Sequence, residues 1–150
     1  LELLRGQRPG LVEDRVRDAD LADVVERRAA AEQLALPSLT VLDITNEVKR
    51  ELARSGYGSG IAYISPLDDV ALVRVQERES GFFSDLEDLL TRLVPQEESD
   101  RERLLCMLLG PRSEQVPFTE GVLDLGQWQR ILLLGFDRPS EPRWNLTLLG

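Results

Sequence analysis

Val116–Gln129 reads VPFTEGVLDLGQWQ, and the second half of the chain is understood through it. Apolar and polar residues alternate into Phe118, Glu120-Gly121 supplies a turn, and Gly126-Gln127-Trp128-Gln129 leads into the apolar run Ile131–Leu134. An acidic residue followed by glycine is a hairpin signal, because two-residue hairpin loops need left-handed backbone. A buried strand accounts for the apolar run, but it does not call for a tryptophan flanked by two amides. Three β segments are expected, Gln115–Phe118, Gln129–Leu134 and Trp144–Leu149, connected as a meander.

Upstream, Leu39–Asp43 reads as a short strand. Thr45 is expected to cap a helix carrying Val48 and Leu52, which Ser55-Gly56 ends. Ile61–Ser65 and Val70–Val75 are β-rich and separated by Pro66 and two aspartates. Ser84-x-x-Glu87 has the form of a capping box, opening a helix with Leu86, Leu89, Leu90 and Leu93 on one face and stopped by Pro95. Ser99-x-x-Glu102 repeats that form, and Gly110-Pro111 ends its helix. Before Pro37 the character differs. Glu13–Leu34 is dense in charges and alanines, with Asp20 as a cap and a thin apolar stripe of Leu21, Val24, Val25 and Ala29. A weakly packed N-terminal helix is expected, giving an extension over residues 1–36 and a main domain over 37–150. Strands, then helices, then strands indicate an α+β fold with mixed or antiparallel sheets and packed helices.

Composition narrows the function classes. With 150 residues, 42% hydrophobic and 30% charged, the chain is of the size and make-up of one globular core. A net charge of −9 repels phosphate backbones, so no nucleic-acid partner is expected. No apolar run approaches the roughly 20 residues of a membrane span, and no signal-peptide core stands at the N-terminus, so a cytoplasmic protein without a membrane partner is expected. The single Cys106 sits in an apolar run and reads as a buried thiol in a reducing compartment. Histidine is absent, which removes Ser-His-Asp and Cys-His catalysis, and Cys106 has no evident activating partner. Gly56, Gly58 and Gly60 lie between helix and strand, the reverse of the order a phosphate-binding glycine loop needs.

Several short patterns follow one another in order. Asp43-Ile44-Thr45-Asn46-Glu47-Val48 is the first. Ser65-Pro66-Leu67-Asp68-Asp69-Val70 precedes Val75-Gln76-Glu77, and Asp85-Leu86 precedes Leu93-Val94-Pro95. Leu108-Leu109-Gly110-Pro111 leads to the block from Val116 to Ile131, with Arg143, Thr147 and Gly150 beyond. From about Leu42 to Gly150 their order and spacing resemble the YjbQ-like family, often labelled secondary thiamine-phosphate synthase enzymes. The resemblance implies that family's α+β fold and a homotrimer. It also implies a metal or catalytic site of histidines from the segment at Leu67, a loop after Pro95 and the helix position at Arg103. Imidazole suits such a site because it ligates metals while neutral and moves protons near pH 7. This chain carries Leu67 and Arg103 at those positions, Arg101 nearby, a shorter loop after Pro95, and Gly135 where the family has a glutamate. A site that loses every nitrogen ligand and gains two arginines does not support the family's histidine chemistry.

Asp68, Asp69 and Glu77 are oxygen donors of the kind that hold Mg²⁺ or Ca²⁺. With Arg101 and Arg103 on phosphate, they would suit a transferase joining a pyrimidine diphosphate to a thiazole phosphate. The simpler account makes Asp68-Asp69 a turn after Pro66 and the arginines solvated, since residues two apart on a helix point about 200° apart. Glu77 reads equally as a pocket acid and as an ion-pair partner of Arg74 or Arg78. Gln127, Trp128 and Gln129 read as a pocket wall or, in the favoured account, as a packing anchor with amides that tie down the loop or a subunit contact. The resulting expectation is a divergent family member without histidine catalysis, acting as an oligomeric binding or structural module. A small phosphorylated ligand is its candidate partner, and no cofactor is assigned. The alternative is a cation-dependent, thiamine-phosphate synthase-like transferase using a divalent cation. A further role gives the N-terminal helix to a partner protein.

Overall fold

The run Ile131–Leu134 is buried at every position because its strand has a protein layer on each face. The computed structural model describes residues 25–28, 33–136 and 143–150. Its strands are β1 (Val25–Arg28), β2 (Gln33–Ala35), β3 (Thr40–Asp43), β4 (Gly60–Pro66), β5 (Ala71–Glu77), β6 (Glu114–Thr119), β7 (Val122–Leu123), β8 (Gln129–Gly135) and β9 (Arg143–Leu149). The helices are α1 (Thr45–Ser55), α2 (Ser80–Leu93) and α3 (Arg101–Leu108). One sheet has the order β1-β9-β4-β6-β7 and the other β2-β3-β8-β5. Every described pairing is antiparallel, within the α+β class expected from the sequence.

Side chains of a strand alternate between its faces, and β8 uses both. Ile131 and Leu133 join Leu42 and Val73 of their own sheet, Trp144 and Leu146 of the other, and Val48 and Leu52 of α1. Leu132 and Leu134 join Phe83 and Leu90 of α2 and Leu105 and Cys106 of α3. The layers therefore run sheet, sheet, helix pair, with α1 against the core between the sheets.

The expected C-terminal meander does not form. β6 and β7 are a hairpin across Glu120-Gly121, whose φ values of 52° and 72° are left-handed. β8 then crosses to the second sheet, between β3 and β5, and β9 returns to pair with β4 and β1. A strand of consecutive apolar residues needs cover on both faces, and the middle layer supplies it.

The N-terminal expectation also changes. Where it is described, the expected helix Glu13–Leu34 is extended: β1 pairs with β9 from Val25↔Leu146 to Arg28↔Arg143, and β2 pairs with β3. Asp20, Leu21, Val24 and Ala29 lie outside the described residues. Backbone partners on the edges of β9 and β3 outweigh a helix propensity worth only tenths of a kcal/mol per residue, of order ~0.5.

Helix starts differ in detail. Glu79 caps α2, accepting from the N–H groups of Gly81 at 2.8 Å and Phe82 at 2.5 Å, so Ser84 lies inside the helix. Glu87 instead accepts from the Ser38 N–H at 2.6 Å and hydroxyl at 2.8 Å. The covered face of α2 is Phe83, Leu86 and Leu90, while Leu89 and Leu93 are exposed. Thr45 is the first residue of α1 rather than its cap, and α3 follows Asp100 without a side-chain capping bond. Gly56 and Gly110, both left-handed, follow α1 and α3 as expected.

Candidate functional site

The turn between β4 and β5 faces α3 across a groove of about 920 Å³, which brings Asp69 together with Asp100, Arg103, Cys106, Met107 and Arg112. Arg112 ties the walls, its Nε donating to the Ala71 carbonyl at 3.2 Å and its Nη2 to the Asp68 carbonyl. Asp68 Oδ2 accepts from the Arg143 N–H at 3.0 Å, so this aspartate anchors the turn to β9. Arg103 is exposed and lies 3.5 Å from Asp100. Cys106 is buried as expected, at 8% exposure. Burial pushes its thiol pKa up, and the Arg112 guanidinium opposes that shift without cancelling it. A protonated thiol is a poor nucleophile. The groove thus offers charge pairing and apolar contact, with neither imidazole nor thiolate.

Arg101 lies on the other side of α3. It is 2% exposed, donates from Nε to the Val94 carbonyl at 2.9 Å, and buries Nη2 without a partner among the described residues. It lines a separate chamber of about 220 Å³ with Ser38, Thr40 and Phe136. Two helical steps rotate a side chain by about 200°, which is why Arg101 and Arg103 serve different cavities.

The carboxylates expected to hold a cation are not gathered. Asp68 and Asp69 precede β5 and Glu77 ends it. At about 3.3 Å per residue the strand holds the two groups far apart. Among the described residues no cluster of three metal-ligating groups forms. Arg74, an expected partner of Glu77, instead donates to the carbonyls of Leu109 and Pro111 and lies 3.9 Å from Glu114.

Gln127, Trp128 and Gln129 stand apart from both cavities. Gln129 ties down its loop, its Oε1 accepting from the Gly126 N–H at 2.7 Å and its own N–H donating to the Gly126 carbonyl at 3.0 Å. Trp128 is no anchor within the chain, since it is 66% exposed and the core tryptophan is Trp144. Asp100, Met107 and Arg112 were not among the residues the sequence singled out, because their meeting with Asp69 depends on tertiary packing and has no local signature. Among the described residues no helix is long and apolar enough to cross a membrane.

Comparison with known proteins places this geometry. The pattern of the family described as UPF0047 protein YjbQ-like matches residues 33–150. A UPF0047 protein of Methanothermobacter thermautotrophicus is 31% identical over 73% of this chain and 82% of its own. One of Archaeoglobus fulgidus is 36% identical over 69% of this chain and 86% of its own. Among solved structures, a hypothetical protein from Aeropyrum pernix is 27% identical with a TM-score of 0.73, covering 85% of this chain and 98% of that one. A YbjQ-like protein of unknown function from Sulfolobus solfataricus is 25% identical with a TM-score of 0.72, again covering 85% and 98%. With the family pattern matched over residues 33–150, this chain belongs to the UPF0047, YjbQ-like family.

Proposed function

We propose that this chain is a self-associating binding module that keeps the family's fold without histidine catalysis. The observation that carries the reading is an apolar surface left open on two helices. Leu89 and Leu93 on α2, and Leu104, Met107 and Leu108 on α3, are between 44% and 82% exposed. Their spacing of three and four residues aligns them along each helix. Apolar surface in water costs about 25 cal/mol per Å², and such patches mark contact sites. Leu104 and Met107 also line the groove, so a second copy seated on α3 would complete a groove wall. The family resemblance supports three copies.

Within such an assembly the groove suits a small ligand with both charged and apolar parts, and a phosphorylated compound is compatible with Arg103 and Arg112. Absence of histidine and the raised Cys106 pKa support binding rather than turnover. The cation-dependent transferase has no comparable observation in its favour, because Asp69 and Glu77 stand at opposite ends of β5. Sedimentation equilibrium tests the assembly. The unaltered chain is expected to sediment as a closed oligomer, and Met107→Glu with Leu108→Glu as a single chain with unchanged circular dichroism. A single-chain mass for the unaltered protein at high concentration would contradict the reading.

A further inference from the structure

We propose that the chamber beside Arg101 is a binding site for a compact oxyanion, a phosphate or carboxylate group, on the opposite side of α3 from the groove. It goes beyond the assembly reading and does not rest on it.

Arg101 carries a buried charge that no counter-charge meets among the described residues. Arg101 is 2% exposed, its Nε is satisfied by the Val94 carbonyl at 2.9 Å, and its Nη2 is buried with no partner among the described residues. Its bond to Val94 is to a neutral carbonyl, so among the described residues the positive charge has no ion-pair partner. A guanidinium keeps its proton throughout the working pH range, so unlike a buried lysine it gains no relief by becoming neutral. A buried charge left unpaired is strongly unfavourable. An anion taken from solution would remove that penalty.

The surroundings fit such a guest. The chamber of about 220 Å³ has room for a phosphate-sized group. Exposed Gln96 lines it as well and brings an amide to it. Leu39 and Phe136 form apolar walls, 1% and 3% exposed. Two carboxylates set the limit. Glu102 lines the same chamber, and Ser38 is already engaged with Glu87 at 2.6 and 2.8 Å. These negative neighbours favour a small, weakly charged oxyanion over a bulky polyanion.

The test is thermal unfolding of the full chain in inorganic phosphate or acetate against chloride at matched ionic strength. A ligand that binds only the folded state raises the Tm progressively with its concentration. The expected result is a rise of several degrees that Arg101→Met abolishes and Arg103→Ala leaves intact. Arg101→Lys, which keeps the charge but loses the planar fork, should weaken the shift and decides the matter if Arg101→Met does not fold. No shift beyond chloride, or a shift that survives Arg101→Met, would overturn the proposal. The Met107→Glu, Leu108→Glu chain should keep the shift whether or not assembly is lost, which separates this test from that of the assembly.

Discussion

Asp43 ends β3 at 9% exposure, with Oδ1 accepting from the Thr45 N–H at 3.0 Å and the Thr45 hydroxyl at 2.6 Å, and Oδ2 accepting from Arg130 Nε at 2.7 Å. The Thr45 hydroxyl also accepts from the Ile131 N–H at 2.8 Å, so one cluster joins the ends of β3, α1 and β8. Burial alone would raise the Asp43 pKa, but the bonds from Thr45 and Arg130 outweigh it and hold the carboxyl below its ordinary value. A depressed carboxylate stabilises the fold above its unfolded pKa, and that contribution is lost as pH falls through the folded value. Asp43→Asn should therefore cost about 1–3 kcal/mol at neutral pH. In urea titrations the gap to the unaltered chain should close below about pH 4, the ordinary range of a carboxylate. The Asp43-Ile44-Thr45 pattern was visible in the sequence as a helix start, but its partner Ile131 lies too far along the chain for local spacing to show. Gly60 offers a second check at this scale. A Cβ there would fall onto the Leu149 carbonyl of the neighbouring strand. Gly60→Ala should cost about 1–3 kcal/mol, read from the denaturation midpoint.

At the scale of elements, α2 distinguishes the observed packing from the one its sequence suggested. Phe83 is 1% exposed against β8 and α3, and Ser84 points outward from the first turns of the helix. Phe83→Ala should lose about 3–5 kcal/mol. Ser84→Ala should change stability by less than about 0.5 kcal/mol, where a true capping serine would cost about 1. Equilibrium denaturation of the two variants checks both. The stops of the helices were legible, because glycine and proline act locally. The start of α2 was not, because Ser-x-x-Glu also occurs inside helices and Glu79 competes as a cap with bonds to Gly81 and Phe82. Most strands were legible from their apolar runs, yet their partners were not, since β8 reads the same in a meander as in a middle layer. The site was legible in part. Opposite orientations of Arg101 and Arg103 follow from helix geometry, whereas the meeting of Asp69 with Arg103 needs β5 and α3 packed together. Glu77 fails as a partner for the same reason, since β5 carries it away from the turn.

For the whole molecule, family membership goes with two packed sheets and a helix layer, in a chain that contains no histidine. The proposed role of the outer face of the helices is to join copies of the chain. Each copy carries a net charge of −9, so copies repel and added salt should tighten an apolar association. A dissociation constant that rises with salt would point to an ionic contact instead. Met107 gives the most direct probe, because it is the single methionine of the chain and is 82% exposed on an isolated copy. Its oxidation by peroxide, followed by mass spectrometry of the native protein across a dilution series, reports whether that face is covered. Slow oxidation at high concentration, becoming fast on dilution and in Leu108→Glu, is the expected result. Oxidation as fast as in the unfolded chain at every concentration would contradict the account.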